Sequence, residues 1–191
     1  MPTFPGDPDM HEEGGVNLDL LRIYLNDHLM GSVLGLELAR RSHAENEDHP
    51  VGGFLASLVD ELQAERATLK SVMLALDLKR DVLKQGAAWV GEKLGRLKFN
   101  GRLMSYSPLS RLVALEALSL GTEGRLSMWR TLRRLASRDA RLGRFDFNVL
   151  IHRAEQQRRA LERWRQQASD EAFVGSDEGS VLRLDPTRAP G

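Results

Sequence analysis

Apolar residues, mostly leucine, recur at helical spacing along four long stretches of this 191-residue chain, and that period decides the fold class. In the first stretch, about 17–42, Leu18, Leu21, Leu25, Leu29, Leu36 and Ala39 fall on one stripe, and Asn17 is placed to cap the helix start. Gly31 and Gly35 flank the stripe and admit a close neighbour. The second begins at Pro50, suited to the first helical position, and turns Leu55, Leu58, Leu62, Leu69, Met73 and Leu76 inward. The third opens with Ser107-Pro108, a cap followed by proline, and runs through Leu112, Leu115, Leu120, Leu126 and Trp129 to about Ser137. The fourth starts near Asp146 and sets Leu150, Ala154, Gln157, Leu161 and Trp164 on one face. Strand patterns are scarce, so the chain is expected to be an all-α four-helix bundle.

Short links join the first two stretches and the last two, which predicts two antiparallel hairpins. Between them, from Asp77 to Ser107, lies the least regular part, read as a long crossover with a short helix over about 82–94. Glu92 and Lys93 would form a solvated pair there. Residues 1–16 and 173–191 are rich in proline, glycine and acid with no apolar face, so they read as disordered tails on a bundle spanning 17–172.

Cysteine is absent, which excludes thiol catalysis, iron-sulfur ligation, zinc ribbons and disulfide staples together. Asp7, Asp9, Glu12 and Glu13 give the N-terminus the reverse of a signal-peptide charge, and no apolar run approaches the roughly 20 residues that span a bilayer. A cytoplasmic protein that does not enter the membrane is expected. Net charge is zero, but residues 1–65 carry 13 acids against three bases, and the rest carries 24 bases against 14 acids. Such faces either neutralise one another within the bundle or serve a protein partner or a second copy, so a dimer is plausible on charge grounds. From Arg130 to Arg165 there are 11 arginines and four acids, with Arg133, Arg134, Arg138, Arg141 and Arg144 around the last turn. They are not interleaved with exposed aromatics and no nucleic-acid motif is present, so nucleic acid ranks below a protein partner.

The runs Tyr24-Leu25-Asn26-Asp27-His28-Leu29, Ala87-Ala88-Trp89-Val90-Gly91-Glu92-Lys93-Leu94-Gly95-Arg96-Leu97-Lys98 and Leu115-Glu116-Ala117-Leu118-Ser119-Leu120-Gly121-Thr122-Glu123-Gly124 resemble those of an uncharacterised bacterial family of ferritin-like bundles, over roughly 17–172. The resemblance implies two hairpins with one long crossover and, in active members, carboxylate and histidine ligands to two metal ions. Such a site takes one Glu from each of two helices and a Glu-x-x-His pair from each of the other two. The fourth stretch offers His152-x-x-Glu155, reversed and opposite the apolar face. The second offers Glu61 and Glu65 with no histidine near. A standard di-iron site is not expected, and no cofactor is assigned.

At about 100° per residue, His28, Ser32, Glu65, Glu116, Glu123 and Gln157 fall within or beside the apolar stripes. Two readings compete for this inward cluster. In one, His28, Glu65, Glu116 and Glu123 converge on a manganese or iron ion in a non-standard oxidase or metal-binding site. In the other, which cheap neutralisation by nearby Arg66, Arg153 and Arg158 favours, guanidinium groups pair with the carboxylates. Tyr24 reads as a core aromatic or a lid on that pocket, and Trp89, Trp129 and Trp164 as packing. No Gly-x-Ser-x-Gly, Walker or Rossmann glycine pattern is present. The expectation is a non-catalytic interaction or scaffold protein, with a metal-dependent protein second and arginine-mediated nucleic-acid binding third.

Overall fold

The computed structural model describes residues 15–79 and 106–174. Within them are four long helices, α1 (Leu18–Ala44), α2 (Val51–Ala75), α3 (Pro108–Leu135) and α4 (Phe147–Phe173), with a single 3-10 turn at Ala140–Leu142. The expected crossover with its short helix, Trp89, Glu92, Lys93 and nearly all of both tails lie outside the described residues.

The helix starts follow the capping chemistry. Asn17 Oδ1 accepts the Leu20 N–H at 3.1 Å, Ser107 Oγ accepts that of Ser110 at 3.2 Å, and Asp146 Oδ1 accepts those of Asn148 and Val149. Pro50 differs from expectation: it is the N-cap of α2 and makes no side-chain cap, so the imidazole of His49 accepts the Val51 N–H at 3.2 Å instead. At the other end of α2, Asp77 adopts a left-handed φ of 56°. Leu78 N–H then reaches Met73 O and Asp77 N–H reaches Leu74 O, the paired bonds that close a helix when a left-handed residue follows it. In the α1–α2 turn, a Cβ on Gly52 would collide with the Asn46 carbonyl oxygen, so the turn requires glycine there.

Two apolar clusters set the helix directions. One joins Leu21, Leu25 and Leu29 of α1 to Leu69, Val72 and Met73 of α2, Leu126, Trp129 and Leu132 of α3, and Leu150 and Ala154 of α4. The other joins Leu36 and Ala39 to Leu55, Leu58 and Leu62, to Leu112, Leu115 and Leu118, and to Leu161 and Ala168. Hence α1 runs antiparallel to both α2 and α3, α4 likewise, while α2 and α3 run parallel. The α3–α4 hairpin packs most extensively, α1–α2 next and α1–α3 after it, while α2 meets α4 only narrowly.

The expected stripes hold with one correction. Leu120 is 75% exposed, and Thr122 takes the inward place. Leu118, Thr122, Leu126 and Trp129 advance by three or four residues, which leaves position 120 on the far side. No described helix is long and apolar enough to cross a membrane.

Candidate functional site

The two apolar clusters are separated by a polar layer. Glu65 sits between Leu62 and Leu69 on α2, Thr122 and Arg125 between Leu118 and Leu126 on α3, and Gln157 between Ala154 and Leu161 on α4. Helical spacing places all of them on core-facing stripes at one level.

Glu65 is 1% exposed and both its oxygens are engaged. Arg125 Nε donates to Oε2 at 3.0 Å, and Gln157 Nε2 donates to Oε1 at 2.8 Å. Arg125 Nη2 closes the ring by donating to Gln157 Oε1 at 2.9 Å and also reaches Thr122 Oγ1 at 3.0 Å. Gln157 Nε2 further donates to Glu61 Oε2 at 2.8 Å, bridging the narrow seam between α2 and α4. An amide suits this position because it offers a donor to the carboxylates and an acceptor to the guanidinium from one planar group. Burial pulls the Arg125 pKa down and the charges of Glu65 and Glu61 oppose that pull. A buried carboxylate left unpaired is costly, and this ring supplies both the counter-charge and the remaining hydrogen bonds.

Of His28, Glu65, Glu116, Glu123 and Gln157, all expected to point inward, the structure brings Glu65 and Gln157 into direct contact. His28 stands across a small cavity wall shared with Glu65, edge-on to Tyr24 with centroids 4.5 Å apart. Burial lowers its pKa, with Asp27 opposing. Glu116 and Glu123 are placed differently from expectation: their side chains are 49% and 52% exposed. They pair with Arg165 at 3.9 Å and Arg158 at 3.3 Å on the outer face of the α3–α4 hairpin. Positions 116 and 123 each lie one residue beyond the buried stripe at Leu115 and Thr122, and one residue turns a side chain by about 100°. The four side chains weighed as a metal set therefore do not converge, and among the described residues no three His, Asp or Glu side chains gather in a metal-holding group.

Of the arginines expected to pair with the carboxylates, Arg158 does so with Glu123, while the buried Glu65 is met by Arg125. Arg158 serves the surface, and Arg66 and Arg153 make no ion pair among the described residues. Arg125 was not among the candidates. Its signal is its place three residues after Thr122 and four before Trp129, which puts a charge on the core stripe.

A second polar cluster, not anticipated from sequence, closes the opposite pole. Asn46 in the α1–α2 turn is buried; its Nδ2 donates to Ser42 O at 2.6 Å and to Tyr106 Oη at 2.8 Å. Arg111 of α3 donates from Nε to Asn46 Oδ1 at 2.7 Å, pairs through Nη1 with Glu171 of α4, and lies 5.9 Å from the Tyr106 ring centroid. His49 Nε2 lies 3.4 Å from the other Glu171 oxygen. Burial pushes the Tyr106 phenol up. For Glu171, burial pulls upward, but the Gln167 hydrogen bond and the Arg111 and His49 charges prevail and hold its carboxyl below the usual range.

Compared with protein-family models, curated proteins and solved structures, the chain matches none.

Proposed function

We propose that this chain is a ferritin-like bundle acting as a non-catalytic interaction or scaffold protein of the cytoplasm, with an ion-pair layer where active bundles of this kind hold metal. The Glu65–Arg125–Gln157 ring supports this reading most directly. It occupies the core level at which side chains of all neighbouring helices meet, and a guanidinium there does the neutralising that a metal would otherwise do. The up-down-down-up order of the helices favours the ferritin-like assignment, since that order accompanies one long crossover.

Charge division favours partner binding. Described residues of the α1–α2 hairpin include ten acids and six bases, whereas those of the α3–α4 hairpin include 13 bases and eight acids. Opposite faces of this kind suit a second copy or another protein, with nucleic acid behind them.

The reading is tested by the metal content of purified, untagged full chain expressed with added iron and manganese, measured by mass spectrometry. Metal far below one equivalent, together with light-scattering mass that falls as salt rises, is the expected pair of results. One or two equivalents of iron or manganese, lost in Glu65→Gln, would overturn it and turn the layer into a metal site.

A further inference from the structure

Beside the polar layer, between α1, α2 and α3, lies a cavity of about 20 Å³ whose polar wall is His28, Ser32, Glu65, Arg66, Arg125 and Trp129. We propose that it binds one small monovalent anion of halide size.

Hydrogen-bond accounting around the wall points to an acceptor. Trp129 is fully buried and its Nε1–H meets no acceptor among the described residues; the buried Nε–H of Arg66 meets none either. Indole and guanidinium N–H groups can only donate. Both Glu65 oxygens are taken by Arg125 and Gln157, and the Ser32 hydroxyl donates to Leu29 O at 2.6 Å. An occupant that accepts from both free N–H groups therefore completes the wall.

Charge selects the same occupant. Two guanidinium groups and one carboxylate line the cavity, and Arg66 makes no ion pair among the described residues. A cation would face both arginines. Size then excludes tetrahedral oxyanions, because the volume suits a single water-sized or slightly larger atom. Leu62, Leu69 and Met128 form an apolar remainder that favours a weakly hydrated ion such as chloride or bromide. The inference does not depend on the scaffold reading, since an internal halide is compatible with any partner.

The test is a bromide titration of the full chain labelled with nitrogen-15 at the tryptophan indoles, at ionic strength held constant with sodium sulfate. Trp129 is assigned by elimination with Trp89→Phe and Trp164→Phe. A saturable shift of the Trp129 indole resonance alone is expected, with a bromide-dependent rise in Tm. Arg66→Met should weaken the site at least about tenfold, the loss of one charged donor, while leaving the melting curve in sulfate intact. Linear drift without saturation, equal shifts at all three indoles, or an undiminished site in Arg66→Met would overturn the proposal. Should Arg66→Met fail to fold, wild-type saturation in bromide against its absence in sulfate decides the matter on its own.

Discussion

The central layer and the polar pole solve the same problem, tying helices together with charge, under opposite solvent conditions. In the layer, Glu65 is 1% exposed and Arg125 13%, and every oxygen of the carboxylate is bonded inside the protein. At the pole, Arg111 is equally sheltered at 13%, but its partner Glu171 is 29% exposed and His49 beside it 22%. The first network therefore has no water to fall back on when a member is lost. The second does. The same arginine-carboxylate chemistry should be costly to disturb in one place and forgiving in the other.

Breaking the layer is the largest predicted effect. Arg125→Met leaves Glu65 buried without a counter-charge and should destabilise the chain by about 3–5 kcal/mol in urea unfolding. Glu65→Leu combined with Arg125→Met should recover most of that loss, because replacing a buried pair with apolar groups of similar volume is often neutral or better. A double variant no more stable than Arg125→Met would mean the layer is needed for the fold itself. Next in size, Gln157→Leu removes the amide that closes the ring and should cost about 1–3 kcal/mol by the same assay, the range for stranding buried polar partners.

How much of this was legible follows from the residues themselves. The helices are, since their caps are local and their leucine stripes are long. Glu65 and Gln157 are legible as inward positions because they interrupt stripes whose period is secure on both sides. Glu116 and Glu123 mislead by one residue, a 100° error that a long stripe tolerates but a single polar side chain does not. Arg125 is hidden by type, because an arginine on a core stripe ordinarily reads as a surface residue whose stem lies along apolar neighbours. The pole is illegible for another reason: Arg111 lies 65 residues from Asn46 and 60 from Glu171, and no periodic pattern announces contacts that only the packed bundle creates.

At the pole, Arg111→Met should cost about 1–2 kcal/mol, most of it from leaving buried Asn46 short of a donor. The part that comes from Glu171 should shrink as salt rises, while the cost of Arg125→Met should hardly change. Similar salt dependence at both sites would break the comparison.

Acid separates the two regions further, in two windows. Burial lowers the His28 pKa below its ordinary 6.5, so the folded chain prefers the neutral ring. Its contribution is complete above pH 6.5 and is lost as pH falls through the lowered value; His28→Gln should flatten stability against pH in that window. Glu171 is held below its ordinary 4.5, so its contribution is complete above that pH and is lost only in stronger acid, with Glu171→Gln flattening the lower window. Thermal melts of both variants from neutral pH to acid read the two slopes separately, and a single shared window would join the regions into one titrating unit.

The smallest effect belongs to the pairs that sequence had placed inside. Glu123→Ala and Glu116→Ala remove half-exposed carboxylates whose arginine partners can return to water, so each should change stability by no more than about 0.5 kcal/mol. That near-silence carries information. Were either glutamate to act at the core level, as a ligand or as a buried partner, its loss would strand charge and cost as much as Arg125→Met. A loss of several kcal/mol from Glu123→Ala would therefore return it to the interior and reopen the carboxylate-rich centre that the Glu65–Arg125–Gln157 ring replaces.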